Sequence, residues 1–226
     1  MKKGIIINLM FAFCVMIVSC TGMEDYLNIV GKNEIIHPGK IDSVKVYSGH
    51  NRLRIEGQCI SDAQVVDCEI VWNLGRDTLI CPVDMSKGPF TLVVDIELPE
   101  SVYSFDLFTR DALQNRSIPV NVSAQVFGDS YLSQIRNRLY SDVSVSGTTV
   151  VITWYPLDVT LGPLYSELTY TDTSGSVVTK QSLVSDEQIE LTNINVSKPV
   201  TLVTVYRPDE TCLDIFRTEP HEIKLR

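Results

Sequence analysis

Four carboxylates stand close enough along the chain to raise the question of paired acid/base chemistry: Asp95 and Glu97 in "VVDIEL", Asp106 in "SFDLF" and Asp111 in "RDALQ". A glycosidase needs two carboxyl groups at a defined separation, one of them held protonated for the leaving oxygen. Asp95, Glu97 and Asp106 alternate with apolar residues, which places them on the outward faces of strands, where a solvated carboxylate is ordinary. A serine nucleophile elbow requires Gly-x-Ser-x-Gly, and "SGSVV" around Gly175 has no second glycine. No Gly-rich phosphate loop precedes a helix and no His-Glu-x-x-His occurs. His37, His50 and His221 are scattered, and no two of Cys59, Cys68, Cys81 and Cys212 have the short separation of zinc ligands. The sequence reads as non-catalytic, with no cofactor and no metal.

Binding chemistry is the next question. A sugar ring stacks on an exposed aromatic face, and Trp72 and Trp154 are the obvious rings, but both alternate with aliphatic residues as core side chains do. Tyr155, Tyr165 and Tyr170 remain as candidate ligand contacts. Tyr165 follows the Gly-Pro of "LGPLYSEL", and loops at the end of a β-sandwich are where binding residues usually sit. Nucleic acid is excluded as a partner: 19 Lys and Arg face 28 Asp and Glu, the net charge is -9, and no basic run supplies a phosphate footprint.

Cys20 is the one residue with a chemistry of its own. Behind Lys2 and Lys3 the chain is apolar from Gly4 to Val18, "GIIINLMFAFCVMIV", broken only by Asn8. That run is short of the roughly 20 residues of a membrane-spanning helix and ends in small residues, so residues 1–19 read as a signal peptide. Ile17-Val18-Ser19-Cys20 resembles the bacterial lipobox, which implies cleavage before Cys20, lipid on its thiol and a membrane tether of several acyl chains. Residues 20–40, "CTGMEDYLNIVGKNEIIHPGK", carry no sustained period and read as the lipidated tether. Glu24 and Asp25 resemble the acidic signal that sends lipoproteins of the Bacteroidota to the outer face, which implies an outer-membrane, surface-exposed location. Export permits disulfides. Cys59 and Cys68 fall at the end of one strand and the start of the next, both on the apolar face, where a bridge and a pair of buried free thiols are both open readings.

The elements that must position these residues are short strands. "NRLRIEGQCI" puts Leu53, Ile55, Gly57 and Cys59 on one face, and "DCEIVWNL" groups Cys68, Ile70 and Trp72. "GPFTLVVDIEL", "SVYSFDLFTR" and "IPVNVSAQV" continue the alternation, with a turn at Arg110–Ser117. "LPESVYSFDLF" resembles the corner of a fibronectin type III module, which implies that Tyr103 returns its hydroxyl to the backbone upstream. "GDSYLSQIRNRLY" reads as the one helix, with Asp129 as its cap and Tyr131, Leu132, Ile135 and Leu139 on one side. A second strand set follows: "TTVVITWYP" with Val150, Ile152 and Trp154 together, a hairpin turning at Asp172-Thr173-Ser174-Gly175, and the closing pair in "KPVTLVTVYRPDETCLDIF". The fold class is all-β: two tandem fibronectin type III or immunoglobulin-like sandwiches, 41–127 and 141–226, joined by a short helix over 128–140. The apolar groups of that helix require it to pack on at least one sandwich.

Four stretches together resemble the family called domain of unknown function 4998: "HPGKIDSVKVYSGHNRLRI", the Trp72–Leu79 segment "WNLGRDTL", "VFGDSYLSQIRNR" and "YTDTSG". Cys59, Cys68 and Cys81 depart from that pattern. The resemblance implies a Bacteroidota lipoprotein accessory to SusC/SusD-type glycan uptake, with glycan capture or scaffolding as its task. The reading from another class is a structural spacer or adhesin component with no small-molecule ligand.

Overall fold

The computed structural model describes residues 37–60 and 64–225. Cys20, the leader and most of the tether lie outside the described residues. Pro38–Arg226 forms one compact unit.

Among the described residues the first module has seven strands: β1 (Asp42–Ser48), β2 (Arg52–Cys59), β3 (Val65–Trp72), β4 (Asp77–Pro82), β5 (Phe90–Glu97), β6 (Ser101–Asp111) and β7 (Val120–Val126). They form an antiparallel sheet β1-β2-β5 facing an antiparallel sheet β4-β3-β6-β7. The period-two pattern decides which side chains meet between the sheets: Leu53 and Ile55 from one, Ile70, Phe105 and Leu107 from the other, all fully buried. Gly57 belongs to that inward set because a Cβ there would stand 2.5 Å from Ile41 Cδ1. Ile41, at the start of the sandwich, is buried, and the carbonyl of Gly39, within the expected tether, accepts from Thr109 Oγ1 at 2.6 Å. Tyr103 donates its hydroxyl to the Pro99 carbonyl at 3.0 Å, the corner expected from the sequence.

The second module repeats the layout with β8 (Tyr140–Ser146), β9 (Thr149–Trp154), β10 (Pro163–Thr171), β11 (Val177–Leu183), β12 (Gln188–Leu191), β13 (Val200–Tyr206), β14 (Phe216–Arg217) and β15 (His221–Ile223). Its sheets are β8-β9-β12 and β11-β10-β13-β14, with β15 also on β13. The β10–β11 turn forms where the sequence places it. Asp172 Oδ1 accepts from the N–H groups of Ser174 and Ser176, both at 2.8 Å, and Gly175 takes the φ of 91° that a side chain would resist.

The connecting helix α1 (Asp129–Gln134) is shorter than the span 128–140 read from the sequence. Asp129 does not cap it: the N-cap is Gly128, and the first-turn N–H groups of Ser130 and Tyr131 donate to the carboxylate of Glu100 at 2.6 and 2.9 Å. From Ile135 the backbone is extended, which buries Ile135 and leaves Leu139 70% exposed, off the apolar side expected for it.

Candidate functional site

Asp95 and Asp106 do not form a catalytic pair. Asp95 lies on the outward face of β5, where the Arg54 guanidinium grips it through Nε and Nη2 at 2.8 and 2.9 Å and holds its carboxyl below the usual carboxylate range. A general acid needs the opposite shift. Asp106 lies on the outward face of β6, in the other sheet, hydrogen-bonded to Asn121 Nδ2. Outward faces of opposed sheets point away from each other with two layers about 10 Å apart between them, so these carboxylates cannot flank one glycosidic bond. Asp111 points inward and serves its turn, accepting from the N–H groups of Leu113 and Asn115 at 2.9 and 2.8 Å. Glu97 is exposed at the end of β5.

The three candidate tyrosines do not form a platform. Tyr155 is 53% exposed just after β9; Tyr165 is half-buried on the outward side of β10; Tyr170, five residues on, points inward and is 7% exposed. Ser166, Leu168 and Tyr170 are one inward row, a period-two signal present in "SELTYT" itself. Trp72 packs against the first core with its ring 5.9 Å from Phe105, and Trp154 is buried with Nε1 donating to Ser182 Oγ at 3.0 Å.

The bridge allowed between Cys59 and Cys68 is not formed. Both are free, buried thiols, one at the end of the three-stranded sheet and the other in the facing sheet. Among the described residues no His, Cys, Asp or Glu cluster could hold a metal ion. No helix among them is long and apolar enough to cross a membrane.

A cavity of about 540 Å³ opens at one end of the second module, lined by Arg138, Trp154, Pro156, Leu157, Val159 and Asp186 among others. Arg138, 4% exposed, lies over the Trp154 ring at 5.1 Å and donates to the carbonyls of Leu183 and Asp186 at 2.9 and 2.8 Å. The guanidinium thus clamps the loop after β11 to the end of β9, and burial pulls its pKa down.

What the fold does bring together is the junction of the two modules. Phe127, Tyr131, Ile135, Tyr206, Cys212 and Phe216 form a buried cluster of their own, separate from both sandwich cores. Phe127 follows directly after β7, Tyr131 comes from α1, and Tyr206 and Phe216 from the closing strands of the second module. Phe216 meets Tyr131 edge-on at 4.8 Å and Phe127 at 6.3 Å, and Phe127 meets Tyr131 at 5.2 Å. Each large side chain buried is worth about 1.5–3 kcal/mol and each aromatic pair a further 0.5–1.5 kcal/mol or so, so separating the modules would cost several times thermal energy.

Polar contacts fix the geometry of that cluster. Asp214, in the loop before β14, accepts from Arg52 Nε and Nη2 at 2.9 and 2.7 Å and from the His50 N–H at 2.8 Å. The Arg52 guanidinium holds the Asp214 carboxyl below its usual range. Gly49 makes room for it, since a Cβ there would stand 2.8 Å from Asp214 Oδ2. The Leu213 N–H donates to the Ser48 carbonyl at 2.8 Å, a main-chain bond from one module to the other. Tyr131 and Tyr206 bury their rings and still place their hydroxyls, on the carbonyls of Leu161 and Arg136, both at 2.6 Å; burial pushes both phenols up. Asn137 Oδ1 accepts from the Thr204 N–H at 2.9 Å and from Thr218 Oγ1 at 2.6 Å, which fastens the segment after α1 along the second module.

A family described as a domain of unknown function, 4998, matches residues 20–216. The chain belongs to that family. Its matched span covers the first module, the junction and the second module as far as the start of β14. Among solved structures, a two-domain fibronectin type III segment of chicken tenascin is similar at 9% identity and a TM-score of 0.32, covering 81% of this chain and 97% of that one. The FN1–FN3 domains of chicken CNTN1 are similar at 10% identity and a TM-score of 0.42, covering 84% of this chain and 66% of that one. No curated protein matches this sequence.

Proposed function

We propose that this member of the family is a non-catalytic scaffold of the cell envelope, held to the outer membrane through lipid on Cys20, whose work is to hold its two modules in one fixed mutual geometry. The observation that carries the reading is the junction: an aromatic cluster shared by both modules, fastened by Arg52–Asp214 and by the Ser48–Leu213 main-chain bond. Interfaces between domains ordinarily permit motion unless they are large and apolar, and a junction with its own buried core goes beyond what tethering two modules needs. A fixed arrangement suits a spacer or adhesin component, and equally a strut within a SusC/SusD-type assembly in the Bacteroidota.

Glycan capture is the weaker reading, because Tyr155, Tyr165 and Tyr170 face in different directions and offer no shared stacking surface. Two measurements test the proposal. Labelled palmitate should enter the wild-type chain and not Cys20→Ser, and equal labelling of both would end the lipid-anchor reading. The lipid-free protein should pass unretained over a broad panel of immobilised polysaccharides. Specific retention on one of them would replace the scaffold with a capture protein, and shortening of any glycan on prolonged incubation would restore an enzyme.

A further inference from the structure

Three thiols share the core of the first module, Cys59, Cys68 and Cys81, whereas Cys212 sits apart in the junction cluster. Cys68 on β3 and Cys81 on β4 are directly opposite each other in the antiparallel register and point to the same face, at 0% and 9% exposure. The Val83 N–H donates to the Val66 carbonyl at 2.9 Å, which makes Val66 and Val83 a hydrogen-bonded pair. The ladder returns to the same kind of pair two residues along, at Cys68 and Cys81, where opposed Cα atoms stand about 5.5 Å apart. A disulfide spans Cα separations of roughly 4.4–6.8 Å, most often near this value. Cys59 belongs to the facing sheet, whereas Cys68 and Cys81 lie on neighbouring strands of one sheet in direct register.

We propose that Cys68 and Cys81 are a disulfide-forming site that staples the β3–β4 hairpin, with Cys59 left as a thiol. The oxidant is an external disulfide, small-molecule or protein. The Cys81 thiolate attacks one of its sulfurs, forming a mixed disulfide and releasing the first external thiolate. The Cys68 thiolate then attacks the Cys81 sulfur and displaces the second. Two protein thiols are oxidised, one external disulfide is reduced to two thiols, and the two S–H protons end on the departing sulfurs.

Cys81 reacts first because β4 is the edge strand of its sheet and Cys81 is the less buried of the pair. Burial pushes both thiols up, Cys68 to about 12. Thiolate therefore forms mainly when the edge hairpin opens, and the bond closes slowly.

The test uses the full reduced chain, incubated with oxidised glutathione, then alkylated in denaturant and mapped by mass spectrometry. The Cys68 and Cys81 peptides should be found linked, with Cys59 and Cys212 alkylated, and the melting temperature should rise by roughly 6–12 °C, as expected for closing a loop of this length. Cys59→Ala should form the same link, and Cys81→Ala should leave Cys68 alkylated. A Cys59–Cys68 link in the wild-type chain would overturn the proposal. So would alkylation of all of Cys59, Cys68, Cys81 and Cys212 after prolonged oxidation in enough urea to open the edge hairpin.

Discussion

Arg52 and Asp214 offer the sharpest perturbation of the junction, because they are 162 residues apart and belong to different modules. Charge-assisted hydrogen bonds are worth about 1.5–3 kcal/mol each when well shielded, and fully exposed ion pairs about 0.2–1 kcal/mol. With side chains 37% and 24% exposed, this pair lies between, and solvent screening holds it toward the lower range despite the two-point grip. A coupling of about 1–2 kcal/mol follows. Arg52→Ala, Asp214→Ala and the double variant, each unfolded in urea beside the wild type, form a cycle from which that coupling is read. Asp214→Ala should cost about 1 kcal/mol more than Arg52→Ala, because it also strips the His50 N–H of its acceptor. Additivity of the two substitutions within about 0.3 kcal/mol would refute the claim that this contact fastens the modules.

Three further outcomes are expected, one from this contact and two from contacts elsewhere in the fold. Since Arg52 holds the Asp214 carboxyl below its usual value, the stabilisation is complete above the unfolded carboxylate pKa of about 3.9 and is lost as pH falls through the lower folded value. The stability gap between wild type and Arg52→Ala should therefore close in acid and stay constant near neutrality, and a gap that widens in acid would reverse the assignment. Tyr103→Phe removes the bond to Pro99 and should lower urea stability by about 0.5–1.5 kcal/mol without moving any backbone resonance outside the corner. Glu100→Ala should speed hydrogen exchange at the Ser130 and Tyr131 amides, at a cost of about 0.5–2 kcal/mol; unchanged exchange would mean that α1 is capped by something else.

What was legible in the sequence was local. The alternation through Leu53, Ile55, Gly57 and Cys59, the Tyr103 corner and the Asp172 turn each rest on residues a few positions apart, so their geometry follows from short-range rules. The burial of Tyr170 is legible too, in the inward row with Ser166 and Leu168. The helical spacing of "SYLSQIRNRLY" predicts a helix longer than α1, and nothing in it shows that Ile135 leaves the helix to join a cluster with Phe216. Glu100 caps α1 from 30 residues upstream, where Asp129 looked like the local cap. The Asp214–Arg52 contact is more distant still, and a single carboxylate in "CLDIF" carries no sign of its partner. Of the junction the sequence shows only apolar residues in need of cover. Which groups cover them is a tertiary fact.

The fixed relation of the two modules is the claim on which the scaffold reading depends, and residual dipolar couplings of the lipid-free chain in a dilute aligning medium measure it directly. The shared cluster of Phe127, Tyr131 and Phe216 predicts that amides of both modules fit a single alignment tensor, with equal magnitude and orientation. Two tensors of clearly different magnitude would show the modules reorienting independently and would contradict it.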